Sequence, residues 1–226
     1  MAVSDAGMGF GLAIAGIFGF ARLAKKHKEQ QTLIFTYGTL KRGFPNHNLL
    51  ESMLYTGEAS YRGTYKTLDK FPLMCGPFKV PFLLNFPGSG HRVLGEIYAV
   101  TPAALARIDE FEGISKGHYE RLPVEVEFKY RDDYFKPLGY ATRLAEEKEM
   151  RGKEVVRAEA YFAHRSFAEE MLRRGGEFFG IYTQKEAAGY VKPAKRPPHV
   201  PFMDQIRLFL SSPSPSSSSS GPVLRP

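Results

Sequence analysis

Ile34-Phe35-Thr36-Tyr37-Gly38-Thr39-Leu40-Lys41-Arg42-Gly43 is the stretch from which the rest of this chain is read. A β-prone run from Leu33 to Tyr37 halts at a glycine, and a short polar turn follows, closed by a second glycine at position 43. These residue types predict a strand that ends in a turn with its backbone exposed. A residue without Cβ lets a ligand come near the main chain. Successive amide N–H groups in such a turn can converge on an anion or on a developing oxyanion. The same residues also fit an ordinary structural turn.

Tyr37-Gly38-Thr39-Leu40-Lys41-Arg42-Gly43, with Pro45-Asn46-His47 after it, resembles the N-terminal signature of the gamma-glutamylcyclotransferase superfamily. It is nearest to the gamma-glutamylamine cyclotransferase and avirulence-induced-protein-like branch. Three later segments fit the same family in the same order. They are Phe71-Pro72-Leu73; then Val80 to Leu84 with Pro87-Gly88-Ser89-Gly90; then Gly95-Glu96-Ile97-Tyr98 leading to Ile108-Asp109-Glu110-Phe111-Glu112. The likeness covers Thr32 to Arg121 and weakens beyond. It implies an α+β fold, a small mixed β-barrel with short peripheral helices. It implies an enzyme of glutathione-linked metabolism that converts γ-glutamyl amides to 5-oxoproline and a free amine. It also implies site residues: Tyr37, Gly38, Thr39 and Leu40 for substrate binding, and Glu112 as the catalytic acid/base.

The helix carrying Glu112 can be read without the family. Thr101 is a good N-cap, Pro102 fits the first turn, Ala103 to Ala106 favour helix, and Gly113 is placed to end it. At ~100° per residue, Leu105, Ile108 and Glu112 share a face, Asp109 lies at its edge, and Glu110 points away. A carboxylate on an apolar stripe is costly unless paired. Burial disfavours its charged form, so its pKa is expected to rise toward that of a useful general base. Pairing with an arginine such as Arg42 or Arg107, or capping of backbone groups, is equally compatible with the spacing.

Such a site needs neither metal nor cofactor. In a γ-glutamyl amide the substrate's own α-amine can attack its γ-carbonyl and close a five-membered ring. Oriented intramolecular attack can supply roughly 7–11 kcal/mol. What remains is a base for the ammonium proton and donors for the oxyanion. Other readings stay open: a non-catalytic protein binding a γ-glutamyl peptide or other small metabolite, a cyclotransferase for glutathione or γ-glutamyl amino acids, or a membrane-tethered scaffold.

Other polar residues carry less. Glu96, in the alternating run Val93 to Val100, reads as structural or solvated. Lys41 and Arg42 read as solvated, with attraction of a substrate carboxylate as the alternative. Asn46 and His47 after Pro45 read as a helix cap. Tyr119 and Arg121 are placed to line the pocket, with Val80 to Leu84 as a wall. Gly88-Ser89-Gly90 reads as a hairpin turn, and Cys75 as an inert thiol.

A chain of 226 residues with 43% hydrophobic content supports one good core. One cysteine excludes a disulfide framework and fits a reducing compartment. The six histidines fall at no ligand spacing, so no metal is expected. A net charge of +7 would permit acidic partners. The basic residues, densest at Lys25 to Lys28 and Lys192 to Arg196, do not gather into a nucleic-acid patch with interleaved aromatics. No nucleic-acid partner is expected, and the family resemblance implies a small-molecule γ-glutamyl substrate.

Domain boundaries follow from composition. Residues 1–30 form an apolar, then basic leader, uncharged from Ala6 to Ala21 and followed by Arg22, Lys25, Lys26 and Lys28. The apolar run is short of the ~20 residues that span a bilayer unless it extends to residue 24. Charges that follow rather than precede it disfavour a secretory signal. Two readings stand. Residues 6–24 tether the protein to a membrane with the domain on the cytoplasmic side, or they form a leader or packed helix of a soluble protein. Residues 31–210 form the domain, with a charged insertion near 130–153. Residues 211–226 are a Ser/Pro tail that cannot bury enough apolar surface to fold. Strands are expected at 32–38, 54–66, 80–86, 93–100, 122–129 and 155–163. A helix capped by Ser166 and an apolar helix around Ile206 should follow, the latter docked on the domain.

Overall fold

A computed structural model describes residues 30–130 and 155–212 of the chain. Five strands close into a barrel: β1 (Thr32–Thr36), β5 (His91–Val100), β2 (Ala59–Phe71), β6 (Tyr119–Tyr130) and β7 (Val155–Ala163), in that order around the ring. Every neighbouring pair is antiparallel except the closing one, in which β1 runs parallel to β7 through Ile34↔Glu159 and Phe35↔Ala160. β3 (Leu73–Cys75) and β4 (Pro81–Leu83) form a separate two-stranded sheet. The fold is the expected α+β mixed barrel.

Alternation along the strands sorts the core into two clusters, because successive side chains leave a strand on opposite faces. Phe35, Ile97, Val126, Phe128, Ala160 and Phe162 belong to one. Ile34, Tyr98, Val100 and Tyr161 belong to the other, with helix residues Leu50, Met53, Ala104, Ile108, Phe167, Met171 and Ile206 packed on them. β5 is therefore buried on both faces from Gly95 to Val100. That is why its apolar residues run on beyond strict alternation.

The helices are short: α1 (Asn48–Tyr55), α2 (Pro102–Glu112), α3 (Arg165–Arg174), α4 (Gln184–Ala187) and α5 (Phe202–Ser211). α2 forms as its residues dictate. The Thr101 side chain accepts from the Ala104 amide, Pro102 takes the first turn, and Gly113 ends the helix in the left-handed conformation at φ 69°. Ala104 and Ile108 are its buried residues, and Glu112 continues their row one turn further on. α5 docks through Ile206, which is 1% exposed, but leaves Leu208 61% exposed.

Several expectations need correction. Leu54 and Tyr55 end α1, and β2 begins only at Ala59. Gly88-Ser89-Gly90 turns the chain but makes no hairpin, since β4 pairs with β3 and β5 with β1 and β2. The cap of α3 is His164, whose ring accepts from the Ser166 amide. Neither Asn46 nor His47 caps α1 through its side chain. Residues 6–24, the core of the charged insertion and residues 213–226 lie outside the described residues. Among the described residues, no helix is long and apolar enough to cross a membrane.

Candidate active site

The chain after β1 turns through Tyr37 to Phe44 under tight control. Asn46 is the clamp. Its amide N–H donates to the Thr39 carbonyl at 3.0 Å. Its buried Nδ2 donates to Thr39 Oγ1 at 2.9 Å and to the Tyr190 hydroxyl at 2.7 Å. His47 Nδ1 lies 2.9 Å from the Leu40 carbonyl. From the strand side, Glu96 accepts from the Arg42 amide at 3.0 Å, the Arg42 Nε at 3.3 Å and the Tyr98 hydroxyl at 2.8 Å. Glu96 therefore has the structural role expected of it, buried rather than solvated. Lys41 and Arg42 are not solvated either. Lys41 is buried, donates to the Tyr182 carbonyl at 2.6 Å and sits over the Phe44 ring. Burial pulls its pKa down to about 8. Arg42 stacks on Tyr61 with its guanidinium 3.9 Å from the ring centre.

Held this way, the amides of Gly38, Thr39 and Leu40 donate to no acceptor among the described residues. All three residues line a cavity of about 610 Å³. A Cβ on Gly38 would stand 2.6 Å from Pro81 Cγ, so glycine is required for the turn to lie against β4. Glu112 lines the same cavity from the end of α2, together with Tyr37, Tyr119 and Tyr161. Residues between Tyr190 and Phe202 supply a large part of the remaining wall. The expected site residues Tyr37, Gly38, Thr39, Leu40 and Glu112 are thus brought to one cavity.

Electrostatics separates Glu112 from its neighbours. Burial, and then repulsion from Asp109, pushes its carboxyl from 4.5 to about 8. Among the described residues no group donates a hydrogen bond to it, and neither Arg42 nor Arg107 pairs with it. The surrounding phenols are committed elsewhere. Tyr37 donates to the Tyr161 carbonyl at 2.6 Å, Tyr119 to the Pro81 carbonyl at 3.1 Å, and Tyr161 to Asp109 Oδ1 at 2.7 Å. Burial raises the pKa of all three, and the charge of Glu112 adds to each. They stay protonated near neutrality, whereas Glu112 can gain or lose a proton there.

Two expected wall positions differ. Val80 and Pro81 line the cavity, but Phe82, Leu83 and Leu84 face the core. Tyr119 is a lining residue, whereas Arg121 is not. Its guanidinium lies 2.9 Å from Asp109 and also pairs with Glu159. Cys75 is a half-buried thiol pushed up to about 11 by burial. No cluster of three or more His, Cys, Asp or Glu side chains suited to a metal occurs among the described residues.

Sequence alone gives His118 and Arg196 no role at the site and makes Asn46 a helix cap rather than a clamp of the turn. Asn46 stands within the quoted signature, but its two partners lie 7 and 144 residues away. His118 stacks on Phe202 with ring centres 3.9 Å apart, a contact between segments that no local pattern links.

Four likenesses bear on this geometry. The family model described as "Gamma-glutamyl cyclotransferase, AIG2-like" matches residues 34–178. An Arabidopsis thaliana protein provisionally named a gamma-glutamylcyclotransferase is 51% identical over 183 residues, covering 80% of this chain and 93% of that protein. The gamma-glutamylaminecyclotransferase of Rattus norvegicus is 45% identical over 94 residues, 41% of this chain and 62% of its own length. Among solved structures, an AIG2-like protein from Mus musculus superposes with a TM-score of 0.53 at 30% identity, covering 71% of this chain and 94% of that one.

Proposed function

This chain belongs to the gamma-glutamyl cyclotransferase, AIG2-like family, and from that premise we propose that it releases 5-oxoproline and a free amine from γ-glutamyl amides, with Glu112 as the general acid/base. The observation that carries the reading is the Glu112 carboxyl itself. It has no hydrogen-bond donor among the described residues, is held at about 8, and shares one cavity with the three free amides of the first turn.

The γ-carbonyl oxygen would rest against the Gly38–Leu40 amides, with Tyr37 walling the substrate. The α-ammonium would face Glu112. A cation beside the carboxyl favours its ionised form, so substrate binding itself readies the base. Glu112 then takes one ammonium proton, and the freed amine attacks the γ-carbon to close the five-membered ring. The amide oxygen gains negative charge where the turn amides can hold it, and one such donor is worth ~10²–10³ in rate. As the bond from γ-carbon to leaving nitrogen breaks, Glu112 returns the proton to the departing amine. The ring nitrogen sheds its second proton through Glu112 to that amine, leaving 5-oxoproline with a neutral lactam and an ammonium product. An acid near 8 can pass a proton to and from nitrogen in both directions without a large mismatch.

The test is direct release of 5-oxoproline, followed by chromatography, from a panel of γ-glutamyl amines and γ-glutamyl amino acids. The parent should form it from at least one class, and Glu112→Gln should fold normally yet lose it. Turnover by that variant within a few fold of the parent overturns the assignment.

A further inference from the structure

The family match ends at residue 178, yet a large part of the cavity wall comes later. Tyr190, Pro193, Arg196, Pro197, Val200 and Phe202 lie along it, on a segment tied back by specific contacts. The Tyr190 hydroxyl accepts from Asn46, and the Val191 amide donates to the Phe78 carbonyl at 3.2 Å. Phe202 stacks on His118. Among the wall residues Arg196 is chemically unfinished. It is half-buried, its Nε donates to the Val191 carbonyl at 2.9 Å, and its guanidinium flanks the rings of Phe78 and Tyr190. No carboxylate pairs with it among the described residues.

A guanidinium fixed through one edge presents its remaining N–H groups as a fork suited to a carboxylate. Its place relative to the base is informative. Arg196 acts on His118 and Tyr119, whereas burial and Asp109 govern Glu112. A guanidinium touching Glu112 would hold its carboxyl low. No hydrogen bond or ion pair joins Arg196 to Glu112 among the described residues, though both line the cavity, so its remaining N–H groups are open to the part of a bound substrate that reaches past the base. Lys116, which also lines the cavity, acts with Arg196 on His118 and adds positive charge there.

We propose that Arg196 is a specificity-determining residue that pairs with a carboxylate on the leaving amine, so that the site prefers γ-glutamyl amino acids or peptides over γ-glutamyl amines without an acidic group. The proposal rests on the cyclotransferase reading for its turnover arm, but its binding arm does not.

γ-Glutamyl-alanine and γ-glutamyl-alaninamide differ only in that carboxylate. The parent should show kcat/KM about tenfold or more higher for the acid, the scale of one charge-assisted hydrogen bond. Arg196→Gln should erase the difference by lowering only the acid's value, while Arg196→Lys retains part of it. In a Glu112→Gln background, calorimetry should show the acid binding more tightly than the amide, with the gap closing when Arg196→Gln is added. Equal use of both substrates by the parent would overturn the proposal. So would a loss in Arg196→Gln that is the same for both, since that marks a merely structural role. If the parent forms no 5-oxoproline from either compound, the cyclotransferase reading fails instead, and calorimetry alone decides whether Arg196 holds the carboxylate.

Discussion

Replacing Glu112 by glutamine should make the protein inactive and, above neutral pH, more stable. Burial and Asp109 move the Glu112 carboxyl from 4.5 to about 8. Between those values the folded protein keeps a proton that the unfolded chain has already released. Folding stability therefore falls as pH rises through that window and levels off above it. At 1.36 kcal/mol per pH unit the full drop would be about 5 kcal/mol. The cavity opens to water, and solvent near the carboxyl should roughly halve it. Glutamine has the same shape and does not titrate. Parent and variant should melt within about 2 °C of each other at pH 5, and the variant should melt roughly 5–10 °C higher at pH 8.5. Thermal unfolding followed by circular dichroism at half-unit steps from pH 4.5 to 9 reads the divergence. Parallel curves, or a variant that melts lower at pH 8.5, would show the carboxyl to be satisfied in the fold, and the electrostatic case for a general base would be lost.

Two further outcomes follow from the same neighbourhood. Asp109→Asn removes the charge that helps hold Glu112 up, so the acidic limb of the kcat/KM profile should move to lower pH; an unmoved limb would mean that Arg121 already cancels Asp109. Asn46→Ala deletes both Nδ2 hydrogen bonds and should cost about 1–3 kcal/mol in urea denaturation, with a clear fall in kcat/KM; full activity would show that the turn holds its shape without the clamp.

The barrel strands could be read from the chain because they are made by local pattern. The runs at 32–36, 91–100 and 155–163 are apolar and β-branched, and punctuation surrounds them. α2 was equally readable, since Thr101, Pro102 and Gly113 each act within a turn of their own position. What escaped is non-local. Lys41 reads as solvated by type but finds its acceptor at Tyr182, and Arg42 finds its carboxylate at Glu96. The α1 end was mistaken for strand because Leu54 and Tyr55 suit either state, and only packing of Leu50 and Met53 on the barrel decides for helix. Within the site, the turn and Glu112 were visible as motif and as a carboxylate on an apolar stripe. The far wall from Tyr190 to Phe202 was not, because nothing in its Pro- and Lys-rich composition says where it folds back.

The seam between β1 and β7 governs when the protein can begin to work. Ile34 finds its parallel neighbour only when Glu159 has been synthesised, and contacts so distant in the chain form slowly. Until then one edge of the first strand lies open, and Tyr37 lacks the Tyr161 carbonyl that fixes its hydroxyl. A ribosome-bound fragment that already carries both the glycine turn and the acidic helix would consequently be catalytically silent. Competence should arrive only once the ring has zipped shut and Tyr182 and Tyr190, which anchor the turn, have followed it out.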